Sequence, residues 1–131
     1  MSTAIQRIEV FQDTMNWIKT DKELSDSIVK AKKNTTIFWE NDYPAFDQKA
    51  TCDKVITVSK DRSYEAAMRL DKSMPGSKIA VMNFANAFHA GGGVTKGSSA
   101  QEECLCRIST LYKCISASEI TEAFHKKHRY A

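Results

Sequence analysis

The sequence predicts an α/β fold with a mostly parallel sheet. Apolar patterning alternates between helical and extended periods along the chain. The strongest extended run, Lys78–Phe84, is apolar almost throughout, as a strand buried on both faces is. A glycine-rich turn follows this run and a helix follows the turn, the order in which parallel sheets place ligand loops at the carboxyl ends of their strands.

Each element has its own signal. Residues 3–19 read as a helix because Ile5, Ile8, Phe11, Met15 and Ile18 recur at three- and four-residue intervals. Residues 22–33 read as a second helix, with Leu24, Ile28 and Ala31 on one face and Asp21 or Thr20 as its cap. Thr35–Trp39 is β-branched and aromatic, which predicts a strand. Residues 40–53 are irregular around Pro44, and Lys54–Val58 forms a second short strand. Ser63–Asp71 is helical in pattern, and Met74-Pro75-Gly76 is a turn. After the glycine turn a helix starts near Ser99. There Ser99 and Glu102 make the capping-box pattern S-x-x-E, and Cys104, Ile108, Leu111 and Ile115 make a buried stripe. Residues 119–130 predict a last helix whose basic end, Lys126-Lys127-His128-Arg129, suits the helix dipole and solvent.

Composition narrows the function classes. At 131 residues there is room for one ordinary domain. A net charge of +3 is too mild for a nucleic-acid surface, so no direct DNA binding is expected. No apolar run approaches the roughly 18 residues of a membrane span. The first residues mix charge through their apolar positions, which argues against a secretory leader and for the cytoplasm. The four cysteines are therefore expected as thiols. Cys104 and Cys106 have no second ligand pair at zinc-like spacing, and His89, His125 and His128 lie on unrelated segments. Neither a metal nor a cofactor is expected.

The informative stretch runs from Asn83 to Glu103 and holds four of the five glycines: Gly91, Gly92, Gly93 and Gly97. Each glycine loses conformational entropy on folding, so three in a row weigh against an idle surface turn. Exposed backbone N–H groups in such a turn suit a phosphate or nucleotide. The common mononucleotide motifs fail, however. Gly92 and Gly97 have the spacing of the triphosphate loop, but Ser98 stands where Lys is needed. Gly91 and Gly93 begin the dinucleotide fingerprint, but Lys96 stands where its third glycine is needed. Gln101, Glu102 and Glu103 fall in the first turn of the next helix, where acids also complement the helix dipole.

Three glycines, a seven-residue gap and then Gln-Glu-Glu resemble the catalytic signature of the poly(ADP-ribose) glycohydrolases. Asn83-Phe84-Ala85-Asn86 before the glycines, and Leu105, Arg107, Ser109, Leu111 and Tyr112 after the acids, resemble the microbial branch. So does the N-terminal stretch from Arg7 through Phe46. Ala90 stands where that branch usually has Pro. The resemblance implies a macrodomain-like mixed sheet flanked by helices, with a helical extension over residues 1–33 and the first part of the core over 34–131. It also implies that the domain is truncated at its C-terminus, with a sheet edge open to self-association. By the same resemblance the ligand is ADP-ribose or poly(ADP-ribose), and Glu103 is the catalytic acid. Glu102 and Asn86 hold ribose hydroxyls, with Gln101 beside them on the substrate side, and Gly91, Gly92, Gly93 and Val94 wrap the diphosphate through backbone N–H groups. A non-catalytic ADP-ribose-binding module or an interaction remnant is the alternative. Adjacent helical residues diverge by about 100°, so a one-acid mechanism fits better than two flanking carboxylates.

Overall fold

The computed structural model describes residues 2–39, 41–43 and 55–129. These fall into two units, one formed by residues 1–35 with 83–131 and the other by residues 36–82.

In the first unit, helix α1, Ala4–Thr20, begins where Thr3 and Gln6 satisfy each other's backbone N–H groups in a capping box. Asp21 closes α1 through its N–H and opens α2, Lys22–Lys33, through its carboxylate, which accepts from the Leu24 N–H at 3.0 Å. Phe11 and Ile18 of α1 and Ile28 of α2 are buried, while Ile5 stands in solvent. A 3₁₀ turn, Val94–Lys96, leads to a short helix α4, Gln101–Arg107, and then to α5, Leu111–Ile115. A continuous helical run closes the described residues of this unit: α6, Ser118–Ile120, a π turn, Thr121–His125, and α7, Lys126–Arg129. Phe11, Val94 and Cys106 form the core, with Met15, Leu111, Tyr112 and Ile115 packed around them. The Phe11 and Tyr112 rings meet edge to face at 5.1 Å. Val94 is thus a loop residue and a core residue at once, which ties the glycine turn to the centre of the unit.

The second unit is built on α3, Ser63–Ser73. The Glu65 carboxylate accepts from the Arg62 N–H at its start, and Arg69 reaches back to Asp61 at 2.7 Å. That guanidinium holds the Asp61 carboxyl below its usual range. Ala66, Ala67 and Leu70 face Ile79 and Val81 across a shallow apolar recess of about 180 Å³.

The expected α/β sheet is not formed. Among the described residues there is no strand. Residues 35–39, 55–58 and 78–84 carry no regular structure, and Val55, Ile56, Val58, Met82 and Phe84 are exposed. Branched and apolar side chains favour a pleated, half-buried surface, but a strand is stable only when its N–H and C=O groups find a neighbouring ladder. No two of these segments pair. The mixed macrodomain-like sheet is therefore replaced by a helical architecture, and the sheet edge expected to support self-association is absent among the described residues. Lys54 and the irregular stretch at 44–53 lie outside them. No helix of the described residues is long and apolar enough to cross a membrane.

Candidate active site

The Gly91–Gly93 turn and the first turn of α4 face each other. Gly91 and Gly92 adopt left-handed backbone, with φ of +72° and +53°, which residues with a side chain rarely take up. A Cβ on Gly91 would lie 2.6 Å from the Tyr112 ring, and one on Gly92 would lie 2.5 Å from Glu103 Oε1. A Cβ on Gly93 would collide with the Ser98 hydroxyl. Each of the three glycines thus has a neighbour in close approach, a ring at Gly91 and side-chain ends at Gly92 and Gly93.

Glu102 and Glu103 are both buried, at 3% and 8% exposure. A buried carboxylate is costly unless hydrogen bonds replace its water. Glu102 is held from three sides. Its Oε2 accepts from the Asn86 N–H at 2.8 Å, and its Oε1 accepts from the Gly91 N–H at 3.2 Å and from Asn83 Nδ2 at 3.4 Å. Glu103 Oε1 accepts from the Gly93 N–H at 3.0 Å. Their helix positions diverge, yet both carboxylates converge on Gly92, whose missing Cβ marks a point 3.4 Å from Glu102 Oε2 as well. The two acids therefore face one small volume. Their negative charge, after burial itself, helps push the Cys106 thiol beneath them up to about 12.

The capping box expected between Ser99 and Glu102 does not form. Ala100 is the cap residue of α4, and the Glu102 carboxylate is drawn instead to Asn83, Asn86 and Gly91. The expected stripe also shifts. α4 ends at Arg107, leaving Ile108 in solvent, and the buried face is Leu105, Cys106 and Arg107.

Most site residues expected from the sequence come together. Gln101 accepts from the Phe84 N–H at 2.9 Å, and Asn86 Oδ1 accepts from the N–H groups of Phe88 and His89, each at 2.9 Å. The backbone N–H groups of the turn are committed within the protein. Gly91 and Gly93 donate to the glutamates, Gly92 to the His89 carbonyl and Val94 to the Gly91 carbonyl. Three further contributors were not expected at the site. Tyr112 packs under Gly91, and Arg7 of α1 donates to the Gly97 carbonyl at 2.6 Å. His125, in the π turn, meets the Ala87 carbonyl at 3.1 Å. Their separation in sequence hides them, since only a folded chain brings residue 7 to residue 97.

No curated protein and no solved structure matches this chain. A family model for the microbial-type PARG catalytic domain matches residues 6–131, nearly the whole length and every residue of the site. A buried Glu-Glu pair clasped by a triple-glycine turn, within a match of that extent, makes the chain a member of the microbial-type poly(ADP-ribose) glycohydrolase (PARG) catalytic-domain family.

Proposed function

We propose that the chain hydrolyses the ribose–ribose O-glycosidic bond of poly(ADP-ribose) and releases ADP-ribose, with Glu103 as general acid and base. The observation that carries this reading is the buried pair Glu102–Glu103, held by backbone N–H groups and converging on Gly92. Two buried carboxylates side by side are a poor stabilising device. They are a good catalytic one, because glycoside cleavage needs a proton for the leaving oxygen and support for an oxocarbenium-like centre.

In this reading Glu103 protonates the departing ribose oxygen as the glycosidic bond breaks. Water then attacks the anomeric carbon, and its proton returns to Glu103. Glu102 is the more tightly held of the two, with three donors, which suits a group that accepts from ribose hydroxyls in a fixed place. Asn86 and Gln101 border it. The turn Gly91–Val94 acts through the carboxylates it positions, since its N–H groups are already engaged and a diphosphate would have to displace them.

The test is release of ADP-ribose from poly(ADP-ribose), with Glu103→Gln beside the unsubstituted protein. The substitution is expected to lower release by about 10²–10⁴-fold, the usual share of general acid–base catalysis, while ADP-ribose still raises the melting temperature. Binding without release by the unsubstituted protein would reassign the chain as an ADP-ribose-binding module. Loss of binding in Glu103→Gln would move Glu103 from the acid's role to the ligand's grip.

A further inference from the structure

We propose that Arg7, on the N-terminal helix α1, is a positioning residue for Glu103. The proposal rests on the glycohydrolase reading only for its kinetic consequence. Three hydrogen bonds in series connect the two residues. Arg7 Nε donates to the Gly97 carbonyl at 2.6 Å, and its Nη1 donates to the Ser2 carbonyl, so one guanidinium ties the loop to the start of α1. Gly97 is left-handed, at φ +74°, and a Cβ there would collide with the Ala4 backbone, so loop and helix are in direct contact at that point. The N–H end of the same peptide turns inward: the Ser98 N–H donates to the Gly93 carbonyl at 3.1 Å, as does the Lys96 N–H at 2.9 Å. The N–H of the same Gly93 holds Glu103 Oε1 at 3.0 Å. Arg7 thus fixes the peptide that fixes the residue that fixes the carboxylate.

A second guanidinium acts one residue later. Arg107, itself buried, donates to the Ser98 carbonyl. The two successive carbonyls of Gly97 and Ser98 are therefore each held by an arginine, one from each side of the loop. Arg107 lies on the same short helix as Glu103 and moves with it. Arg7 supplies a hydrogen bond that references the loop to a separate element, the long α1, beside the packing of Val94 on Phe11. A planar guanidinium is suited to this, because its rigid fork presents donors to two carbonyls in a fixed geometry, whereas the donors of an ammonium rotate on a flexible stem. A catalytic group shifted by a fraction of an ångström loses most of its effect, so an anchor this far along the sequence has a kinetic readout.

The experiment compares Arg7→Ala, Arg7→Lys and, as a control on an exposed position of the same helix, Ile5→Ala in the full chain. Two quantities are read: kcat and KM for release of ADP-ribose from poly(ADP-ribose), and hydrogen exchange of the Gly93 amide by NMR. Arg7→Ala is expected to lower kcat by about ten- to a hundredfold with KM changed far less. Its Gly93 amide should exchange faster. Arg7→Lys should fall between Arg7→Ala and the unsubstituted protein in both, and Ile5→Ala should match the latter. Unaltered kcat or an unaltered Gly93 amide in folded Arg7→Ala overturns the proposal. Should Arg7→Ala not fold, Arg7→Lys decides it by the same two measures. If the unsubstituted chain releases no ADP-ribose, the glycohydrolase reading fails, and the Gly93 amide alone decides whether Arg7 positions Glu103.

Discussion

Two glycines separate backbone conformation from close approach in a way the sequence cannot. Gly76 and Gly92 are both left-handed, at φ +82° and +53°, but a Cβ on Gly76 meets nothing within 4 Å whereas one on Gly92 meets Glu103 Oε1 at 2.5 Å. Alanine at either position pays about 1–2 kcal/mol for the left-handed backbone. Only at Gly92 must a neighbour also move, and that neighbour is the flexible end of the proposed acid. Urea unfolding of Gly76→Ala and Gly92→Ala should therefore show similar losses of stability. Release of ADP-ribose should be retained by the first and depressed at least tenfold in the second, a factor equal to about 1.4 kcal/mol. Full turnover in Gly92→Ala would mean that the carboxylate has room to spare and that the glycine serves the turn alone. The triple glycine and the Gln-Glu-Glu run were legible in the sequence as something more than a turn. What the glycines make room for was not, because Tyr112, Glu103 and Ser98 become their neighbours only after folding.

At the scale of elements, helices α1, α2 and α3 were read nearly to the residue, since their periodicity and caps are local. The helix after the turn was misread because two side chains overrode its local pattern. Glu102 left the capping position for Asn83, Asn86 and Gly91, and Ser109 interrupted the helix. The Ser109 hydroxyl donates to the Leu105 carbonyl at 2.8 Å and accepts from the Leu111 N–H at 3.1 Å, ending α4 and starting α5. The π turn in the C-terminal helix has a consequence of the same kind. Such turns are rare and are often found at functional sites. This one places His125 against the Ala87 carbonyl, and a carbonyl only accepts, so Nδ1 carries the proton. Ala87 adjoins Asn86, whose N–H holds Glu102. His125→Ala removes the donor and leaves the carbonyl unmet, which should cost about 1–3 kcal/mol in urea unfolding. It should also speed hydrogen exchange at Phe88 and His89. His125→Asn keeps a donor near the Nδ1 position and should cost less. Identical exchange in all three proteins would show that the loop is anchored without His125.

Across the whole molecule, the contrast between legible helices and a sheet that does not form among the described residues has one physical source. A helix satisfies its backbone within a few residues of sequence, whereas a strand depends on a partner that composition does not supply. The core that results is small, and the two carboxylates sit on its edge above Cys106, which is fully buried. This arrangement gives the molecule a specific alkaline weakness. Burial, reinforced by Glu102 and Glu103, raises the Cys106 thiol from 9.0 to about 12. Between those two values the unfolded chain has released a proton that the folded chain still binds, so the thiol's contribution to stability falls as pH rises through this window and is fully present well below pH 9.0. Cys114, raised by its own burial, acts with the same sign. The measurement is a difference, so that every other ionisation cancels. Unfolding free energies from urea are compared for the unsubstituted chain and Cys106→Ala from neutral pH into that window. The alanine variant should lose a roughly constant amount of packing at every pH, yet decline less steeply above pH 9.0. Parallel curves would mean that the thiol ionises in place, and that the ground beneath the glutamates is wetter than its burial implies.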